Sequence, residues 1–286
     1  MNNTDRTVMG TLAALAAFIW FRDTRWMSSA ADCVPILIAI PLFIWLATPW
    51  KFETRPVEFN DSLLMVGGVF FAIGMAGNLT FLLALAWTVL MWSWLGNRIS
   101  SGQAATVKYL LPLPFLAMPW ITLDGAAIGW WFRLSGAAVT AGLFKLMAFR
   151  VEHDGTFINI NGVPISVEAA CAGLNTLQSM LIAGAALAFV MLKSRRYFWL
   201  NLALLIPLAW AANTARIVIL SGAALTFSPE FVAGTFHDLS GWLVIMVMFL
   251  ICWGAFALQN QYHDKTAAKH ARHDEKNGNI TNNAKA

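Results

Sequence analysis

The sequence predicts an all-α polytopic membrane protein: about eight transmembrane helices, one interfacial helix and a small extracytoplasmic β-hairpin or meander. Three observations predict it. Of 286 residues, 58% are hydrophobic and 12% charged, about half the charge of an ordinary soluble domain. The apolar residues gather in runs near 8–21, 34–50, 62–77, 79–95, 107–121, 174–192, 198–221 and 238–258, and a helix of about 20 apolar residues crosses the hydrocarbon. Between the fifth and sixth of these runs lies a polar insert with two turn dipeptides, Asp154-Gly155 and Asn161-Gly162, set between alternating residues; such pairs are strong hairpin signals.

Taken in order, the first run is followed by Arg22, Asp23 and Arg25. It has no small-residue cleavage site and reads as a retained helix. Asn78 separates the third and fourth runs and predicts a tight helical hairpin. Pro112, Pro114 and Pro119 make the fifth run irregular, which a membrane helix tolerates when neighbours satisfy the freed carbonyls. Residues 126–149 carry Arg133, Lys145, Gly136 and Gly142, with Trp130 and Trp131 near the start; that mixture predicts a helix lying at the interface. Residues 151–167 predict a meander outside the membrane, with Pro164 on an unpaired strand side. Residues 1–258 read as a single membrane domain. The polar residues 259–286 have no apolar period and predict a disordered cytoplasmic tail.

Composition also excludes. The net charge is +4, but the basic residues are scattered over loops and tail, so nothing points to nucleic acid. Three widely spaced cysteines form neither a zinc pattern nor a disulfide framework. No phosphate loop, metal-ligand cluster or serine elbow is present in the sequence; no metal or cofactor is expected.

Charge sets the topology. Lys193, Arg195 and Arg196 fall in one short loop, and Lys265, Lys269, Arg272, Lys276 and Lys285 in the tail, so both are expected in the cytoplasm. Arg6, Lys51, Arg55, Arg98 and Lys108 fall on the same side. That arrangement predicts an inner (plasma) membrane protein in which Cys171, Arg216 and His237 share one external level, each from a different apolar run.

Those three residues carry the candidate chemistry. Cys171 precedes a predicted helix, and the dipole at a helix N-terminus favours a thiolate; a packed small residue or a Cys33–Cys171 disulfide are the alternatives. Arg216 interrupts an apolar run at a cost of about 2.5–3.5 kcal/mol mid-membrane, and Asn213 shares its helix face. It can hold an oxyanion, a thiolate or a carboxylate, or else snorkel to the interface. His237, at the outer start of the last run, can exchange a proton with a thiol or a leaving amine. Asp238 beside it is a capping candidate. Glu168 can orient the imidazole or bind a cationic group.

Three stretches resemble the exosortase/archaeosortase family: Glu168-Ala169-Ala170-Cys171-Ala172-Gly173-Leu174, Asn213-Thr214-Ala215-Arg216-Ile217 and His237-Asp238-Leu239-Ser240-Gly241. Their order and spacing make the combination specific; the likeness covers roughly 110–255. Ala172 and Asn175 stand where the family usually has Ser and a basic residue, which leaves the subfamily and substrate motif open. The resemblance implies a cysteine transpeptidase for protein sorting, with Cys171 as nucleophile, Arg216 as charge stabiliser and His237 as acid/base; Glu168, Asn213, Asp238 and Asn175 are supporting candidates. It implies membrane-anchored substrates with a C-terminal signal (short motif such as Pro-Glu-Pro, transmembrane helix, basic cluster) and a surface acceptor, a polysaccharide or a lipid amine. Two other readings stay open: proteolysis without transfer, and a non-catalytic scaffold or transporter component of envelope polysaccharide export.

Overall fold

The computed structural model describes residues 3–28, 30–53, 59–167, 174–192, 194–227 and 232–283. The chain opens with four apolar helices, α1 (Asn3–Phe21), α2 (Ala30–Leu46), α3 (Asp61–Ala76) and α4 (Thr80–Leu95). The expected hairpin between α3 and α4 is present. Asn78 takes φ 55, a left-handed conformation that asparagine tolerates. Two glycines let the helices close: a Cβ at Gly67 would lie 2.7 Å from Leu90 and one at Gly74 2.9 Å from Leu83. Small residues at such contacts are how apolar helices approach in a lipid solvent.

The run at 107–121 is not one helix. It is broken into α5 (Ser101–Val107), a 3-10 turn at Lys108–Leu110, α6 (Pro112–Leu116) and α7 (Trp120–Asp124). The prolines remove donors and start new turns. Yet Leu110, Leu113, Ala117, Met118 and Ile121 are almost wholly buried, so this broken segment lies inside the bundle. Carbonyls left open where α6 ends find side-chain donors: Trp20 Nε1 donates to Ala117 O at 2.9 Å and Gln178 Nε2 to Leu116 O at 3.1 Å. Irregular backbone at membrane depth survives only with such partners.

Helix α8 (Ala126–Leu146) follows, then β1 (Val151–Asp154), β2 (Phe157–Ile160) and β3 (Val163–Ser166). The strands form the expected antiparallel meander in the order β1-β2-β3. Asn161 and Gly162 take φ 53 and 89, as a two-residue primed turn requires. Pro164 stands on the edge strand, opposite Asn159. Three long helices complete the chain: α9 (Leu174–Met191), α10 (Phe198–Ala224) and α11 (His237–Asn283).

Among the described residues the packing gives two hydrophobic cores. The larger joins the apolar helices around the broken segment. The smaller sits beneath the sheet, where Ile158, Ile160 and Val167 pack on Ala137, Ala141 and Phe144 of α8 and Ile217 of α10. Helix α8 runs alongside α10 in the same direction. Trp210 Nε1 donates to Ser135 Oγ at 2.8 Å, Gly136 faces Ile217 and Thr214, and Phe144 faces Gly222. Its basic, Trp-flanked sequence predicts an interfacial helix; the seam of Ser135, Gly136, Ala137 and Ala141, which carries no hydropathy signal, lays it along its neighbour.

Outward faces are strongly apolar. Trp45, Trp199, Leu200, Trp242, Met246 and Leu250 are each at least half exposed, an arrangement suited to lipid and not to water. Arg195–Ala224 and Leu239–Thr266 are long and apolar enough to cross a membrane. Among the described residues the other helices are shorter or less apolar, so length and composition together give two spans where the sequence predicts about eight. The tail also differs from its expected disorder: α11 stays helical to Asn283. Residues 264–276 hold three Ala, three Lys, one Arg and one Glu and neither Gly nor Pro, and those residues favour helix whatever their polarity.

Candidate active site

The middle and last of the three sequence stretches meet. Arg216 is the nineteenth residue of a 27-residue helix and is 7% exposed. Its Nε donates to Ser240 Oγ on α11 at 3.1 Å, in a buried contact. Beside Ser240, Gly241 has no side chain, and the guanidinium lies over its backbone: a Cβ there would sit 3.5 Å from Arg216 Nη2 and 3.7 Å from Cζ. A hydrogen bond and a close approach therefore hold the guanidinium between two helices.

Local sequence explains how each side arrives. On α10, Asn213 is one turn before Arg216 and is 1% exposed, so the shared face predicted from spacing is an inward face. Thr214 satisfies its own hydroxyl by donating to Trp210 O at 2.9 Å. Ile217, next to Arg216, enters the core beneath the sheet. On α11, the helix starts afresh at His237 after a π-helical turn, Val232–Phe236, broken at Gly234. Position 237 is one turn before Ser240, hence on the same helix face.

His237 and Asp238 are described by their backbone, as the first two residues of α11, and Asn175 likewise near the start of α9. Glu168 and Cys171 lie outside the described residues. The described residues on either side of them are anchored. Val167 is 3% exposed and packs in the same small core as Ile217. Leu174 packs on the main core, 3.4 Å from where a Gly125 Cβ would stand. Cys33 carries a free thiol, with Sγ 3.5 Å from Trp26 O, which deprives the Cys33–Cys171 disulfide of its partner.

Ser240 is the residue that sequence reasoning passed over. The signal was present: a serine three residues after the histidine, one turn on. Serine is also the residue most easily read as helix packing, and only the partner helix reveals its role. Thr140 of α8 and Ser221 of α10 add two further buried hydroxyls, neither with a hydrogen-bond partner among the described residues.

No curated protein and no solved structure matches the chain. The family model described as Transmembrane exosortase (Exosortase_EpsH) matches residues 8–254, a stretch that contains the smaller core, all of the larger but Phe256, the sheet and all three sequence stretches. The chain belongs to the transmembrane exosortase family.

Proposed function

We propose that this protein is a cysteine-dependent protein-sorting transpeptidase of the plasma membrane, working at the extracytoplasmic face with residues 1–258 as one domain and the tail in the cytoplasm. The Cys171 thiolate attacks the carbonyl carbon of a peptide bond next to a C-terminal sorting motif. A C–S bond forms, and the carbonyl oxygen becomes an oxyanion that Arg216 stabilises. His237, holding the thiol proton, passes it to the departing amine as the C–N bond breaks. An acceptor amine then attacks the thioester and releases Cys171; water in its place gives simple hydrolysis. The substrate's own transmembrane helix supplies binding energy away from the reacting bond.

The observation that carries this reading is the buried Arg216–Ser240 hydrogen bond, which ties the arginine stretch to the stretch holding His237. A guanidinium fixed in direction before substrate arrives is what charge stabilisation needs, because no reorganisation is then required in the transition state. Family membership supplies the protein-sorting class, and Val167 in the Ile217 core supports a short path from Arg216 to the segment holding Cys171.

The test uses membranes containing the full chain and a substrate with a sorting signal. Cys171→Ala, Arg216→Ala and His237→Ala are each expected to abolish processing while the protein stays inserted. Wild type is expected to accumulate a hydroxylamine-labile acyl adduct on Cys171. Processing that persists in Cys171→Ala removes the nucleophile. A membrane-impermeant thiol reagent separates the enzyme from a scaffold: the enzyme predicts fast, pH-dependent labelling of Cys171 from outside, the scaffold an inert sulfur.

A further inference from the structure

At the opposite end of α10 from Arg216, the turn Arg195–Tyr197 leads into Phe198, and α11 passes beside it. A cavity of about 250 Å³ lies between them, lined by Ser194, Arg196, Tyr197, Gln259, Tyr262 and His263 among others. Its walls are tied. Asn201 Nδ2 donates to Gln259 Oε1 at 3.0 Å, and Asn260 Nδ2 donates to Met191 O at 2.7 Å. With its oxygen engaged, Gln259 has its amide N–H groups as donors to the cavity. The Tyr197 and Ser194 hydroxyls add two more, Arg196 supplies a permanent cation, and His263 an imidazole whose Nδ1 is 4.0 Å from Asp264.

The chain has three tyrosines, and all of them sit at this end. Tyr197 and Tyr262 line the cavity, and Tyr109 packs on Phe198 and Trp199 at 5.3 and 6.2 Å. Tyrosines gather where an apolar ring and a wet hydroxyl are both satisfied, at the membrane–water boundary. From Tyr197 to Arg216 is about 28 Å along the helix, close to one hydrocarbon thickness. Next to the cavity, toward the bundle, Trp199, Leu200 and Leu258 are 52%, 57% and 67% exposed. A polar, cationic cleft thus stands over an exposed apolar wall.

We propose that this cleft binds the phosphodiester headgroup of an anionic phospholipid, with Arg196, Gln259, Tyr197 and His263 on the phosphate and the acyl chains against Trp199, Leu200 and Leu258. Charge selects an anion; the apolar wall beneath selects a lipid over free phosphate. The site is independent of the chemistry proposed at Arg216.

The experiment takes the full chain, purified and delipidated in nonionic detergent, and follows thermal unfolding as lipid is added, since a ligand of the folded state raises Tm. Phosphatidylglycerol is expected to raise Tm with saturation and phosphatidylcholine is not. Arg196→Gln is expected to weaken the phosphatidylglycerol response about fivefold, the effect of one basic side chain at a charged surface. Arg196→Lys, which keeps the charge, is expected to retain most of the response. Equal responses to the two lipids, or an undiminished response in Arg196→Gln, overturn the proposal. Inorganic phosphate matching phosphatidylglycerol at equal concentration overturns its lipid half. Arg196 is exposed, so its variants are expected to fold.

Discussion

Ser240→Ala tests the junction between α10 and α11 most directly. The substitution deletes the acceptor of Arg216 Nε, 3.1 Å away, and introduces no steric conflict, because alanine fits wherever serine does. Hydrogen bonds involving a charged group are worth about 1.5–3 kcal/mol, and a buried donor left without its acceptor incurs a desolvation penalty of similar size. Arg216 is 7% exposed, so water replaces little of what is lost. Each 1.36 kcal/mol in the barrier is tenfold in rate, so a loss felt wholly in the transition state slows processing roughly 10- to 100-fold. The assay is single-turnover processing of a substrate with a sorting signal in membranes adjusted to equal enzyme. Turnover is expected to fall with KM nearly unchanged, because the substrate helix binds elsewhere. Ser240→Thr keeps the hydroxyl and is expected to restore most of the rate. Wild-type turnover in Ser240→Ala, at equal inserted protein, refutes the claim that this bond orients the guanidinium.

Three other substitutions probe the scaffold. Gly136→Ala places a Cβ 2.8 Å from Ile217 Cδ1; overpacking of this kind costs about 1–3 kcal/mol, and adding Ile217→Val, which removes that methyl, is expected to recover most of the lost Tm and activity. Asp5→Asn breaks the buried ion pair with Arg98, to which Trp94 Nε1 adds a hydrogen bond at 3.3 Å; removing one partner of a buried ion pair costs about 3–5 kcal/mol, so Tm is expected to fall sharply, and less in Asp5→Asn with Arg98→Met. Gln178→Leu removes the donor to Leu116 O and leaves a buried carbonyl unmet, for a loss of about 1–3 kcal/mol in denaturant unfolding, while Gln178→Glu at a pH that protonates it is expected to recover part.

Much of the frame could be read from residue order. The α3–α4 hairpin follows from Asn78, and both strand turns follow from their glycines, because left-handed backbone is a local demand met by few residue types. The inward face shared by Asn213 and Arg216 follows from helical spacing. What escaped depends on partners. Prolines at 112, 114 and 119 announce irregularity, but only Trp20 and Gln178, from distant parts of the chain, show how the broken segment stays buried. The small residues of the α8–α10 seam are invisible to hydropathy because their contribution is the absence of a side chain. Ser240 lay in plain view and meant nothing until Arg216 was opposite it. Polar composition after Leu258 predicts disorder, whereas the Ala and Lys of residues 264–276 favour helix.

The junction at Arg216 is also where stability and chemistry pull apart. Placing a guanidinium in an apolar helix costs about 2.5–3.5 kcal/mol near mid-membrane and less toward the boundary, and the hydrogen bond to Ser240, at about 1.5–3 kcal/mol, offsets a similar sum. An apolar pair of the same bulk packs without that debt; buried ionic groups replaced in this way are often neutral or stabilising. Arg216→Met combined with Ser240→Ala is therefore expected to raise Tm or leave it unchanged, and to abolish processing, while Ser240→Ala alone lowers both. Thermal unfolding of purified protein and processing in membranes read the two quantities separately. A Tm of the double variant below that of Ser240→Ala refutes this reasoning, because the guanidinium would then be holding α10 to α11 as a structural clamp. A guanidinium whose removal leaves the fold intact and ends the reaction is one retained for its charge.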